Sequence, residues 1–357
     1  MKLLDTLIIK DFLKTYFFVV LMLIMIVLVL DFTEKNDEFI RNNVPSGEIV
    51  KYMFNYGLYL NNLLTPITVF ISVIFITSRM AGRTEIIAVL SSGVSFLRML
   101  RPFLVGASMI ALASFLLNGW VLPKATAGVY EFKREYLEDD SQYNYQNLHV
   151  KVAPDVYAYI SRYYTGPKTG YSFTLEHIED GKLLSKLSAD RIVWDTATNA
   201  WEVRNWKLRV LEDMGEEYSV GERMDTVLSI TPNDFDLPPN HHETLNLPEL
   251  SRQIKVLEDR GADNVSFYKI ERYVRFMSPF AAIILTFIGV IVSSKKTRGG
   301  SGFKIALGFL LAFIYIILFL LSRTFAEAGT PYPVLAVWLP NIVFAITGLI
   351  MYKTVPR

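Results

Sequence analysis

Cysteine is absent from the 357 residues and histidine occurs only four times. The first absence removes disulfides and thiolate metal sites, so any folded domain must hold by its own core. With so few histidines a zinc site is not expected. His241-His242-Glu243 also lacks the spacing that puts two ligands on one helical face. The only Gly-Lys pair, Gly181-Lys182, lacks the glycine five positions before the lysine that a phosphate loop needs, and no Gly-x-Ser-x-Gly elbow occurs. Nucleotide hydrolysis and serine hydrolase chemistry are therefore not expected of this chain. Glu34 with Asp37, and Glu216 with Glu217, read as solvated charge, not as paired catalytic carboxylates.

A third absence says more. Six apolar runs, Tyr16–Leu30, Gly57–Ser78, Pro102–Leu122, Phe276–Ser294, Ile305–Ser322 and Tyr332–Tyr352, contain no Asp, Glu, Lys, Arg or His. Roughly 20 apolar residues span the ~30 Å hydrocarbon core, so each run can cross a bilayer, the first by borrowing the turns on either side. Hydrophobic residues reach 52% and mean hydropathy is +0.30. Proton- and ion-coupled transporters commonly place ionisable groups at membrane depth, and these runs have none, although Asn61, Asn62, Asn118 and Asn341 sit near span ends or polar faces. Sodium sites built from carbonyls and hydroxyls remain open.

The N-terminus imitates a signal peptide, with Lys2, Lys10 and Lys14 before an apolar run. Leu28-Val29-Leu30-Asp31-Phe32 offers no small-residue cleavage site, so a retained anchor is expected. Basic residues cluster before the first span, after the second (Arg79, Arg83, Arg98, Arg101), after the fourth (Lys295, Lys296, Arg298, Lys304) and at the end (Lys353, Arg357). The loop after the first span is acidic. The positive-inside rule then places both termini in the cytoplasm and the long insert after the third span outside.

That insert, from about 123 to 246, reads as β structure. Val150–Val152, Val156–Ile160, Arg191–Trp194, Trp201–Val203 and Lys207–Leu211 alternate in polarity between turn signals at Gly166–Gly170, Glu179–Gly181, Asp195–Asn199 and Asp213–Gly215. A sandwich, jelly roll or barrel is expected. Tyr143, Tyr145, Tyr157, Tyr159, Tyr163, Tyr164 and Tyr171 either pack its faces or line a groove for an amphiphile. After Pro238-Pro239 the period turns helical. Leu247, Leu250, Ile254 and Leu257 share a face with Gly261 as a stop, and a second amphipathic stretch from Val265 runs into the fourth span.

Between the second and third spans, Thr84 is placed to cap a short helix with Glu85 in its first turn and Gly93 at its end, at about 84–92. Its body, Ile86, Ile87, Val89 and Leu90, is too apolar for water and too short to span. Such a helix either lies on the bilayer or inserts into a partner protein.

The order of these features is similar to one family. The three-plus-three spans, the segment Arg83–Gly93, the stretch Ile230-Thr231-Pro232-Asn233-Asp234-Phe235, and Leu250–Gly261 leading to Phe276-Met277-Ser278-Pro279 resemble the lipopolysaccharide export permeases of the LptF/LptG (YjgP/YjgQ) type over essentially the whole chain. The resemblance implies a polytopic α-helical membrane protein: transmembrane helices 1–3 in 1–122, a periplasmic β-jelly-roll domain in 123–246, connecting helices in 247–275 and transmembrane helices 4–6 in 276–357. It implies a multi-pass inner-membrane permease half that pairs with a paralogous half, a cytoplasmic ABC ATPase dimer and periplasmic jelly-roll bridge proteins to export lipopolysaccharide. No cofactor, metal or nucleic acid is implied. The short helix would couple to the ATPase through Arg83, Glu85, Ile86, Val89 and Leu90. Residues at the outer rim and in the β domain, Glu34, Lys35, Arg41, Arg323, Tyr159 and Trp194, would meet the lipid. The family often carries a basic residue where Asp31 stands, and Lys35 and Arg41 are the nearest substitutes. Two alternatives differ in class: an ion-coupled secondary transporter, and a non-transporting assembly protein whose β domain binds a partner.

Overall fold

The computed structural model describes residues 2–137, 144–179, 181–212, 215–228, 231–232, 240–259, 264–294 and 300–353. Gly261, the 230–235 stretch apart from Thr231 and Pro232, Pro238-Pro239, Tyr143, Asp213-Met214, the basic loop at 295–298 and Arg357 lie outside the described residues. Among the described residues ten α-helices and six strands follow in order: α1 Lys2–Arg41, α2 Ser46–Gly82, α3 Glu85–Ser91, α4 Phe96–Leu116, α5 Leu122–Tyr136, β1 Asn144–Ala153, β2 Val156–Tyr164, β3 Thr169–Glu179, β4 Lys182–Asp195, β5 Ala200–Glu212, β6 Gly215–Thr226, α6 His241–Thr244, α7 Leu247–Asp259, α8 Val265–Ser294, α9 Gly300–Glu327 and α10 Pro333–Tyr352. Among the described residues six helical stretches are long and apolar enough to cross a membrane, in the expected three-plus-three arrangement around the insert. The chain divides into two compact units, the helical bundle (1–129, 243–247 and 269–357) and a second unit holding the β insert (130–242 and 248–268).

Several bundle helices outrun the apolar runs. α1 takes in 40 residues, and α1, α2 and α9 carry flanking charges such as Lys35, Arg79 and Arg323 on the same helices as the spans. One core joins Phe12 of α1, Phe70, Val73 and Ile74 of α2, Leu100 and Phe103 of α4, Leu285 and Ile288 of α8, and Tyr315 of α9. Small residues set the approach distances. A Cβ on Gly106 would stand 2.6 Å from the Phe12 ring, and one on Gly289 or Gly308 would meet Val73 or Ile74. Between α4 and α5, residues Leu117–Val121 form a π turn, a widening that lets the helix continue without a break.

In the second unit the six strands form one antiparallel sheet in sequence order, β1-β2-β3-β4-β5-β6. The expected inserted β domain is therefore a meander. Its strands are longer than the alternating runs, and β3, which the alternation did not mark, lies inside the sheet. The turns expected at 166–170 and 195–199 are present, with Lys168 and Asn199 at positive φ. Asp195 accepts hydrogen bonds from the Ala197 amide (2.9 Å) and the Thr198 hydroxyl (3.0 Å), which hold its carboxyl below the usual carboxylate range.

A crease crosses this sheet. The pairings skip one residue per strand on a single line: Asn147, Ser161, Ser172, Asp190, Asn205 and Glu222. Three of these, on alternate strands, hold positive φ: Asn147 at 50-odd degrees (φ 55), Ser172 (φ 51) and Asn205 (φ 52). Left-handed backbone costs a non-glycine residue roughly 1–2 kcal/mol, least for Asn. The result is a parity switch. On one side of the line Ile160, Phe173 and Ala189 point to the core. On the other side, three residues along each strand, Tyr163, Gly170 and Ile192 occupy the next core row, where strict alternation would have turned them out. The core of Ile160, Tyr163, Phe173, Ile192, Trp201 and Val203 depends on that switch.

Candidate functional site

Three places in the bundle and one in the β unit hold the residues singled out by sequence. The first is α3. Thr84 precedes it with φ 64, but its hydroxyl donates to the Arg83 carbonyl (2.6 Å) and does not cap the helix. Gly93, at φ 84, follows the helix and bonds back to the Leu90 carbonyl (3.0 Å), as expected of a terminating glycine. Ile86 alone is fully buried, inserted in the bundle core, while Val89 and Leu90 pack at its margin. Arg83, Glu85 and Ile87 are exposed, with Arg83 and Glu85 3.9 Å apart. The helix is thus pinned on one side and open on the other.

The second place is where α1 meets α2. Asp31, buried on α1, accepts from the Lys35 ammonium one turn on and from the Tyr52 hydroxyl of α2 (3.0 Å). Lys35 also donates to the Tyr52 hydroxyl (2.6 Å) and lies 5.1 Å and 5.3 Å from the centres of the Tyr52 and Tyr56 rings. Asp31 is therefore the internal partner of Lys35, and a phosphate approaching Lys35 must compete with a buried carboxylate. Glu34 and Arg41 stand exposed on the same helix.

The third lies at the same end of the bundle and is the most elaborate. Arg323 of α9 pairs with Glu243 (3.0 Å), Glu327 (2.8 Å) and Glu271 (3.6 Å). Arg275 of α8, almost fully buried, pairs with Glu271 (2.8 Å) and donates to the carbonyls of Leu245 (2.5 Å) and Glu243 (3.3 Å). In the described pairs two guanidiniums face three carboxylates, so Arg275 and Arg323 are both matched by acids. It fastens the short segment 243–247 to α8 and α9. Charge-assisted bonds to carbonyls satisfy backbone groups that would otherwise be orphaned at a helix junction.

Beside this cluster is a cavity of about 120 Å³, lined by Tyr59, Asn62, Pro66, Asn118, Met277 and Tyr315 together with the charged groups. Two helix irregularities face it. Pro66 removes the amide that would bond the Asn62 carbonyl, and the π turn carries Asn118. The Asn62 side-chain oxygen is buried and has no hydrogen-bond partner among the described residues. Irregular backbone at membrane depth is tolerated where it lines such a hollow. Asn341, by contrast, is satisfied: it accepts from Tyr315 (2.9 Å) and donates to the Met277 carbonyl (3.1 Å), joining α8, α9 and α10.

In the β unit the tyrosines divide between the two expectations. Tyr163 is in the core, edge-on to Trp201, and Trp194 packs against Trp201 with ring centres 5.1 Å apart. Tyr157, Tyr159 and Tyr171 lie on the opposite face, Tyr159 bonded through its hydroxyl to Asn147 (2.8 Å). The two candidate lipid contacts here, Tyr159 and Trp194, therefore sit on opposite faces of the sheet.

Sequence reading met Glu243 only in a rejected zinc motif and did not single out Glu271, Arg275 or Glu327. The spacing of Glu271 and Arg275, four apart just before an apolar run, was the one available signal.

The description "Lipopolysaccharide export system permease LptF/LptG" belongs to a family model that matches residues 6–354, taking in all six spans and the whole β insert. No curated protein sequence matches the chain. With a family match of that length around six apolar helices, the protein is an integral permease of the inner membrane, and the chain belongs to the LptF/LptG lipopolysaccharide export permease family.

Proposed function

We propose that this permease is one transmembrane half of an ATP-driven exporter that extracts lipopolysaccharide from the inner membrane and passes it to a periplasmic jelly-roll bridge. The observation that carries the reading is α3, a helix with one side anchored by Ile86 in the bundle core and the other presenting Arg83, Glu85 and Ile87. The chain has no phosphate loop of its own, so work must enter from a partner, and an anchored helix with an open face suits that entry. A push on α3 reaches α2 and α4 through Ile86, because close-packed interiors transmit displacement.

The apolar surfaces support a paired half. Within their most apolar windows α1, α9 and α10 are only 17%, 22% and 28% buried, against 56% for α2 and α8. Those faces meet acyl chains or a second permease. Both termini and α3 are cytoplasmic in this reading, and the β domain is periplasmic, in accord with the basic residues near α3. Closure of a dimeric ATPase on ATP moves α3, the paired halves narrow a shared cavity, and the lipid leaves toward the β domain with its head group at the outer rim.

Purification through this chain, followed by an ATPase assay, tests the proposal. A co-purifying ATPase whose activity falls with Glu85→Ala is expected; no ATPase, or one indifferent to Glu85→Ala, overturns it. For the lipid route, photo-crosslinkers at Lys35, Tyr159 and Trp194 should capture lipopolysaccharide from at least one position in an active complex, and silence at all three rejects it.

A further inference from the structure

The apolar face of the β sheet is accounted for by its core; the opposite face is not. On that face, on the β1 side of Glu222 and below the crease, residues stand in transverse rows. One row runs His149, Tyr159, Thr174, Ser188, Lys207; the next runs Lys151, Tyr157, Glu176, Lys186, Arg209. The crease row itself supplies small polar side chains at the rim: Asn147, Ser172, Asp190 and Asn205. All of these except Lys151 and Arg209 border an open hollow of about 740 Å³. That is inside the roughly 300–1,000 Å³ range of ligand sites.

Its chemistry is distinctive. Two carboxylates, Glu176 and Asp190, oppose two ammoniums, Lys186 and Lys207, and Lys186 is already paired to Glu176 (2.7 Å). The charges that line the hollow balance; of the two cations just outside it, Arg209 pairs with Glu216 and Lys151 lies 5.4 Å from the centre of the Tyr157 ring. Uncharged donors and acceptors dominate, several held in place: Asn205 donates to Asp190 (3.1 Å), and Asn147 holds the Tyr159 hydroxyl (2.8 Å). Aromatic surface is offered beside them. Tyr157 is 40% exposed, and the Tyr159 ring lies 4.6 Å from that of His149. Fixed, neutral hydrogen-bonding groups around tyrosine faces match a ligand covered in hydroxyls with apolar C–H faces between them.

We propose that this creased outer face is a saccharide-binding site, taking a short oligosaccharide across the strands with Tyr157 and Tyr159 against its rings and Asn147, Ser188, Asp190 and Asn205 on its hydroxyls. The crease makes the site: without the parity switch the sheet would lack the hollow and the row of short polar residues that rims it. The two sources of such a ligand at a bacterial envelope are the sugar portion of a lipopolysaccharide and the glycan of the cell wall, and the assignment stands apart from the export reading.

The test uses the full chain in phosphatidylcholine nanodiscs, with no maltoside detergent to compete. Binding of two probes, core oligosaccharide freed from lipid A and the tetramer of N-acetylglucosamine, is followed by saturation-transfer NMR and titration calorimetry. Saturable binding of at least one probe with a Kd on the order of 1 mM is expected. Tyr157→Ala and Tyr159→Ala should each weaken it about tenfold, and Ser188→Arg, which fills the middle of the hollow without touching the core, should weaken it as much. Tyr332→Ala, an exposed tyrosine in the bundle, should leave it unchanged. Binding of the core oligosaccharide supports the site and joins it to export; binding of the tetramer alone supports the site and assigns it to wall glycan. No saturation by either probe at about 50 mM, or equal binding by the wild type and Ser188→Arg, overturns the proposal.

Discussion

Around Arg275 and Arg323 charge is folded into the architecture of the helical bundle, and beside α3 the pair Arg83 and Glu85 is held out in water. Arg275 and Arg323 share Glu243, Glu271 and Glu327 in a largely buried network, whereas Arg83 and Glu85 flank α3 with about half or more of each side chain exposed. The residue types are the same. What differs is desolvation. A buried guanidinium that loses its partner strands a charge, while an exposed one only trades a weak partner for solvent. The first arrangement holds segment 243–247 on the bundle; the second leaves a face available for contact.

Mutations can break that comparison. The largest effect is expected from Arg275→Ala, which removes two carbonyl bonds and leaves Glu271 buried: about 3–5 kcal/mol of stability should be lost in chemical unfolding. A loss below about 1 kcal/mol would mean the network is ornamental. Next, Glu85→Ala should leave unfolding within about 0.5 kcal/mol of wild type while weakening ATPase association by roughly 30-fold, about 2 kcal/mol, in a pulldown titration. Equal damage to fold and association would erase the distinction between the two arrangements.

The β unit sharpens it from another side. At an ordinary strand position valine is the better residue, but Ser172 sits at φ 51 in the crease. Ser172→Val should therefore cost about 1–2 kcal/mol and Ser172→Gly should be tolerated, measured by thermal unfolding. If valine is tolerated, the crease is not a constraint of the backbone. The smallest effect belongs to Arg83→Ala, expected to change stability by under about 0.5 kcal/mol because its 3.9 Å contact with Glu85 is exposed.

Much of this molecule is legible in its sequence because the bilayer imposes a coarse rule. A run of about 20 uncharged apolar residues has few other fates, so the spans, the insert between them and the helical period of Leu250, Ile254 and Leu257, all buried, follow from pattern. Gly93 ends α3 for an equally local reason. Thr84 did not follow its pattern: a residue at φ 64 no longer directs its hydroxyl at the first-turn amides.

The fate of the charges was not legible in the same way. Lys35 and Arg323, singled out as rim cations, are each engaged by carboxylates: Asp31 one turn away on the same helix, and Glu243, 80 residues away in sequence. Asp31 looked like an anomaly in sequence and is the buried partner of Lys35 and Tyr52. The tyrosines that alternate along the insert divide between core and surface at a crease that no alternation foretells.

By itself the sequence determined the number of spans, the inserted β domain and the family, because hydropathy and local motifs act within one helix or one strand. Only the tertiary structure decided which charges are spent on one another, where the cavity beside Asn62 lies, and which side of the sheet each tyrosine faces. Those outcomes depend on groups distant in the chain sharing one desolvated space, or on three backbone inversions falling in register on alternate strands, and neither leaves a local signature.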